Sequence, residues 1–146
     1  MTSVDHVSLL WRRISGVILA FWTGSLWTVC AVVAPTLFRV LDNRQVAGQL
    51  AARFFHFEAY LSLVAGALLL ALGAAGKLHS LNRWLIIVPA CLPILSQIAL
   101  GPLMEQARTS GDMARFGLLH GLAGMCYFVS CLVLILTVWR FSRPEE

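Results

Sequence analysis

Hydrophobic and polar positions divide this chain into four long uncharged runs separated by short charged stretches. The runs are 25, 18, 21 and 24 residues long and cover residues 14–38, 59–76, 84–104 and 116–139. A helix needs about 20 apolar residues to cross the hydrocarbon layer of a membrane. The pattern therefore predicts four membrane-spanning helices, with spans at about 14–38, 55–76, 84–104 and 116–139.

The polar stretch between the first two spans carries its own helix signal. Asp42, followed three residues later by Gln45, is typical of an N-cap with its capping box and predicts a helix start near Asn43. Apolar residues then recur on one side at helical spacing, at Val46, Leu50, Phe54, Phe57 and Leu61. This spacing predicts an interfacial helical extension that enters the second span without a break.

Composition supports the membrane interpretation. The chain has 146 residues, of which 59% are hydrophobic and 12% charged, whereas roughly 25% of residues are charged in an average soluble domain. We therefore expect one transmembrane domain over residues 1–146, folded as an all-α integral membrane four-helix bundle. The net charge of +4 is spread over the predicted helix ends, which suits a lipid bilayer and argues against nucleic acid as a partner.

Two short passages resemble each other and suggest an internal duplication. Gly48 precedes Ala-Arg-Phe at residues 52–54, and Gly111 precedes Ala-Arg-Phe at residues 114–116. Their similar offsets predict a doubled helical hairpin.

Charge distribution gives a prediction for orientation. The side that holds both termini and the 77–83 hairpin carries six Lys or Arg residues, against five on the other side, and that hairpin contains no acid. Both termini are therefore expected to be cytoplasmic. Ten Arg against one Lys suggest a bacterial source, and hence a multi-pass protein of the bacterial cytoplasmic (inner) membrane. All four cysteines lie inside the spans and are expected to be free.

Small residues recur along one face of the first span and one face of the last span. The stripe in the first span consists of Gly16, Ala20 and Gly24, and that in the last span of Gly117, Gly121 and Gly124. Such stripes let a neighbouring backbone approach closely, so we expect them to be helix-packing surfaces.

Two passages carry a resemblance to a known family. Residues 35–41, followed by Gly48 and Phe54, resemble the loop after the first helix in the transmembrane protein 205 family, whose bacterial relatives form a domain of unknown function. Residues 115–122, with Cys126 further on, are similar to the start of that family's last helix. The resemblance implies a small multi-pass membrane protein and supplies no catalytic residues.

Ionisable residues at the edges of the second and fourth spans are candidates for a functional site, because such groups are costly near the membrane interior. One hypothesis makes His56 and His120 the ligands of a haem b or a metal ion. In this hypothesis the three glycines of the fourth span leave room for a flat cofactor.

The other interpretation is an interfacial polar cluster made of Arg39, Arg53, Glu58 and Arg115. Arg53 lies about 140° around the same helix from Glu58 and points elsewhere. We therefore expect Glu58 to form an ion pair with Arg115 or Arg39 on another helix, with His120 in the same cluster.

Function is constrained mainly by what the chain lacks. It contains no HExxH, CxxC, phosphate-binding loop or Ser-His-Asp candidate, and its spans hold few polar residues for an ion path. The leading hypothesis is a non-catalytic protein that acts through helix contacts, as a subunit or accessory factor of a larger membrane complex or as a homo-oligomer. The alternative is a redox or metal-handling membrane protein that uses His56 and His120.

Overall fold

The computed structural model describes residues 3–75 and 82–143, which are helical apart from short connections. Its helices are α1 (Ser3–Thr28), a π-helical segment (Val29–Val33), α2 (Ala34–Val40), α3 (Arg44–Ala74), α4 (Trp84–Thr109) and α5 (Met113–Phe141). Four segments are long and apolar enough to span a membrane: Leu9–Val40, Arg44–Ala74, Trp84–Thr109 and Met113–Phe141. The predicted all-α four-span architecture is confirmed.

The helices form a bundle with a simple order. α1 packs against α3 and α5, and α4 packs against the same two helices. Around the bundle the order is therefore α1, α3, α4, α5, which places α3 diagonally opposite α5. Arg12 Nη2 donates to the carbonyl oxygen of Arg143 at 3.2 Å, so the start of α1 lies beside the end of α5. The central part of the predicted hairpin at residues 73–83 lies outside the described residues.

A proline shapes the junction between α1 and α2. Pro35 has no backbone N–H to donate, and its ring would crowd the carbonyl four residues earlier in a regular helix. The Ala34 N–H bonds to the Val29 carbonyl oxygen instead, which is the five-residue spacing of a π-helix. The helix thereby absorbs the proline and continues to Val40, where Leu41 turns extended and ends it.

The start of α3 differs by one residue from the prediction. Asn43, rather than Asp42, is the N-cap, since its Oδ1 accepts from the backbone N–H groups of Gln45 at 2.9 Å and Val46 at 3.2 Å. Asn43 has the extended backbone that an N-cap needs, with φ −87° and ψ 102°. From there α3 runs without interruption to Ala74, as the sequence predicts.

Three prolines lie inside α4, and the helix continues past Gly101-Pro102 to Thr109. Pro89 leaves the Leu85 carbonyl oxygen without its usual donor four residues later. Thr137 Oγ1, fully buried on α5, donates to that oxygen at 3.2 Å and to the Val133 oxygen at 2.7 Å. The neighbouring helix thus supplies the polar contact that the proline removes, as transmembrane bundles require.

The core lies where α1, α3, α4 and α5 meet. Trp22 is its largest fully buried side chain, packed among Leu19, Leu26, Leu69, Ile86 and Leu134. Trp22 Nε1 donates to Ser62 Oγ at 2.9 Å, which fixes α1 against α3. The closest helix approach is at Gly66, where an added Cβ would lie 2.5 Å from the Ala90 Cβ of α4.

The two passages proposed as repeats occupy different backbone positions. Gly48 lies within α3, whereas Gly111 lies in the connection before α5 with a φ of +77°. The doubled hairpin therefore stays a prediction.

Candidate functional site

Glu58 is a buried acid in the membrane-spanning part of the chain. Its side chain is 3% exposed, and its Oε2 accepts a hydrogen bond from Ser25 Oγ at 3.2 Å. The same hydroxyl contacts the Trp22 carbonyl oxygen at 3.0 Å, so α1 supplies the polar surroundings of the acid. Charged side chains within membrane spans mark functional sites more often than structural ones, and we take Glu58 as the centre of the candidate site.

The ion pair expected between Glu58 and an arginine is absent. Within residues 3–75 and 82–143, the ion pair that forms is between Arg108 and Glu105, at 2.8 Å on the surface. Arg39 and Arg115 are exposed, and Glu58 is bound to a serine instead. Long arginine side chains can extend to the membrane surface, where the charge stays solvated, rather than enter the bundle. Arg53 is also exposed.

Beside Glu58 lies an open groove between α1 and α3, which we call the α1–α3 groove. It encloses about 530 Å³. Its walls are mainly apolar, and the residues that line it are Ala20, Phe21, Gly24, Ser25, Thr28, Val29, Val33, Phe54, Phe57 and Glu58. Phe21 and Phe57 are each 65% exposed, which indicates that the groove opens towards the outside of the bundle.

A second set of polar contacts crosses the bundle one turn from Glu58. Gln97 Nε2 donates to the Tyr127 hydroxyl at 3.0 Å, and that hydroxyl donates to the Phe55 carbonyl oxygen at 2.7 Å. The Phe55 and Tyr127 rings also pack together, with centroids 4.7 Å apart. These contacts join α3, α4 and α5 and so fix the segment of α3 that carries Glu58.

Two cysteines come together in the same region. Cys30 lies in the π-helical segment and Cys131 in α5, and their Sγ atoms are 3.9 Å apart. Both are free thiols, as are Cys91 and Cys126. Sequence reasoning did not predict this contact, because the two residues are 101 positions apart and share no motif.

The structure does not bring His56 and His120 together. Both side chains are exposed, and each ring contacts an aromatic ring of its own helix, Tyr60 at 6.2 Å and Phe116 at 5.9 Å. Tyr127 is the α5 residue that reaches α3 at this level, and His120 lies about 10 Å before it along α5. In the described part of the chain, no three His, Cys, Asp or Glu side chains form a metal-binding group. A shared cofactor ligated by the two histidines stays a prediction.

The predicted small-residue stripes have two different environments. A Cβ at Gly16 would lie 3.2 Å from Phe141 Cε1, so this glycine packs against α5. Gly24 and the three α5 glycines Gly117, Gly121 and Gly124 have nothing within 4 Å of such a Cβ. Ala20 is exposed and lines the α1–α3 groove. These outward-facing positions do not hold the described bundle together.

Comparison with known proteins adds a family. Residues 17–113 match the model of the family described as Domain of unknown function (DUF4149). The match covers α1 through α4, including Glu58 and the α1–α3 groove, and ends at the start of α5. No curated protein and no solved structure shows significant similarity.

Proposed function

The chain belongs to this family of unknown function, and we propose that it acts through helix contacts in the membrane, as a non-catalytic subunit or accessory factor of a larger complex or as a homo-oligomer. The open glycine face of α5, formed by Gly117, Gly121 and Gly124, is the observation that carries this proposal. The three glycines are four and three residues apart and lie on one side of the helix. A Cβ added at any of them would meet nothing within 4 Å in the bundle.

In a membrane, helices associate through close packing, because lipid tails are as apolar as the side chains that they replace. A glycine face lets a second helix approach until the backbones touch. The neighbouring Leu118, Leu122 and Met125 are 66%, 42% and 62% exposed, and they would frame a helix that docks there. The face therefore suits another membrane helix, from a second copy or from a different subunit.

The test is the mass of the particle extracted from the membrane in a mild detergent at native expression. We expect the native chain to migrate as a stoichiometric complex or homo-oligomer in size-exclusion chromatography with light scattering. Gly121→Leu should shift the particle towards a single chain, since the larger side chain blocks backbone approach.

Gly101→Leu on α4 is the matched control, because a Cβ at Gly101 also meets nothing within 4 Å. It should leave the particle mass unchanged. A native chain that is strictly monomeric, or an assembly that Gly121→Leu does not weaken, would contradict the proposal.

We further propose that the protein resides in the bacterial cytoplasmic membrane with both termini in the cytoplasm. The six-to-five distribution of Lys and Arg supports this orientation. The likeness to the transmembrane protein 205 family also stays a proposal, supported by residues 35–41 and 115–122. Haem or metal binding at His56 and His120 is the second hypothesis, and an absorption spectrum with metal analysis of the purified protein would decide it.

A further inference from the structure

Glu58 places a carboxyl group in the α1–α3 groove without a matching positive charge. No Lys, Arg or His in the described residues lies within 4.0 Å of its carboxylate oxygens. Its donor is the neutral hydroxyl of Ser25, at 3.2 Å. An ionised carboxylate in apolar surroundings is costly unless a positive charge accompanies it. The groove therefore has the electrostatic character of a cation site.

The walls of the groove favour an organic cation. Phe21 and Phe57 are each 65% exposed and Phe54 is 42% exposed, and the faces of aromatic rings attract positive charge. Gly24 contributes no side chain, and a Cβ there would meet nothing within 4 Å. The volume of about 530 Å³ falls within the range of roughly 300–1,000 Å³ that is usual for small-molecule sites.

A bare metal ion suits the groove poorly. Besides Glu58, the polar side chains that line it are the hydroxyls of Ser25 and Thr28. Thr28 Oγ1 already donates to the Gly24 carbonyl oxygen at 2.7 Å, and the Ser25 hydroxyl contacts the Trp22 carbonyl oxygen. Hard metal ions in proteins take six or more oxygen ligands, of which this groove offers few. A cation that carries its own apolar groups needs no such shell.

We infer that the α1–α3 groove binds a lipophilic organic cation, meaning one positive charge shielded by aromatic or alkyl groups. The Glu58 carboxylate neutralises the charge, and the three phenylalanine rings contact the apolar groups. Because the groove opens to the outside of the bundle, the cation reaches it from the lipid. This site is separate from the α5 glycine face, so it stands whether or not the protein forms a complex.

The experiment measures binding of tetraphenylphosphonium to the full chain in detergent by equilibrium dialysis. The native protein should bind it saturably at one site per chain. Glu58→Gln keeps the shape of the side chain and removes the charge, so affinity should fall about tenfold or more. Gly24→Leu fills the groove from the other wall and should weaken binding to a similar degree, with thermal unfolding unchanged.

Glu105→Gln is the control, because it removes one negative charge from an exposed surface ion pair with Arg108. It should bind tetraphenylphosphonium as the native chain does. If Glu58→Gln fails to fold, Gly24→Leu decides the question alone. Binding that is not saturable in the native protein, or that neither groove variant weakens, would overturn the inference.

Discussion

Trp22→Ala is expected to lower the free energy of unfolding in detergent by about 3–5 kcal/mol, the usual range for removing a fully buried aromatic ring. Trp22 has no exposed surface and packs between α1, α3 and α4. Its removal leaves a cavity, and it also leaves the Ser62 hydroxyl without the indole N–H that now lies 2.9 Å away. Thermal or denaturant unfolding of the purified variants would measure the loss.

Two further variants separate packing from hydrogen bonding at Trp22. Trp22→Phe keeps most of the ring volume and removes the donor, so it should cost about 1 kcal/mol, the net value of one hydrogen bond. Trp84→Ala is the matched surface control, because Trp84 is 62% exposed, and it should change stability by no more than about 0.5 kcal/mol. Equal losses for Trp22→Ala and Trp84→Ala would contradict the assigned core.

Gly66→Ala is the second large effect and should destabilise the bundle by about 2 kcal/mol. The new Cβ would lie 2.5 Å from the Ala90 Cβ, and both atoms are fixed to their backbones, so α3 and α4 must separate. Overpacking of this kind typically costs about 1–3 kcal/mol. The loss is measured against the gain of up to about 1 kcal/mol that alanine brings to a helix interior.

The control and the rescue for this substitution follow from the same geometry. Gly101→Ala adds a Cβ that meets nothing within 4 Å, so it should leave stability unchanged or raise it by up to about 1 kcal/mol. Combining Gly66→Ala with Ala90→Gly removes the facing Cβ and should recover most of the loss, a non-additive result expected for residues in contact. A destabilisation of the same size at Gly66 and Gly101 would show that α3 and α4 do not approach closely at Gly66.

Sequence patterns predicted the secondary structure well because spans and caps depend on local composition. The four uncharged runs correspond to the four membrane-length helical segments. The one-residue error at the start of α3 arose because Asp42 and Asn43 are both good N-caps, and the backbone conformation that decides between them is not encoded in a motif. Helix ends also extend past the charges that bounded the predicted spans, as at Thr109.

Sequence reasoning predicted the partner of Glu58 wrongly because spacing gives the depth of a residue in the membrane, not the helix that it faces. Arg39 and Arg115 lie at the same membrane side as Glu58, yet their side chains are exposed. The observed donor, Ser25, is 33 residues away on α1. Its neighbour Gly24 belonged to the predicted small-residue stripe, and this stripe was the available sign that the Ser25 region of α1 was special.

The packing glycine was missed for a similar reason. Gly66 stands outside the predicted stripes, and its importance depends on Ala90 of another helix. Gly117, Gly121 and Gly124, which do form a stripe, face outward. A small-residue pattern therefore identifies a surface that can pack, while the partner that covers it is decided by the tertiary arrangement.

The account rests on Glu58 facing Ser25 across the α1–α3 contact, and paired cysteines test this most directly. In a chain whose four native cysteines are replaced by alanine, Ser25→Cys with Glu58→Cys should form an intrachain disulfide on mild oxidation, detected by electrophoretic mobility and mass spectrometry of linked peptides. Arg115→Cys with Glu58→Cys should not. The opposite outcome, a link from position 58 to position 115 and none to position 25, would contradict the arrangement of α1, α3 and α5 described above.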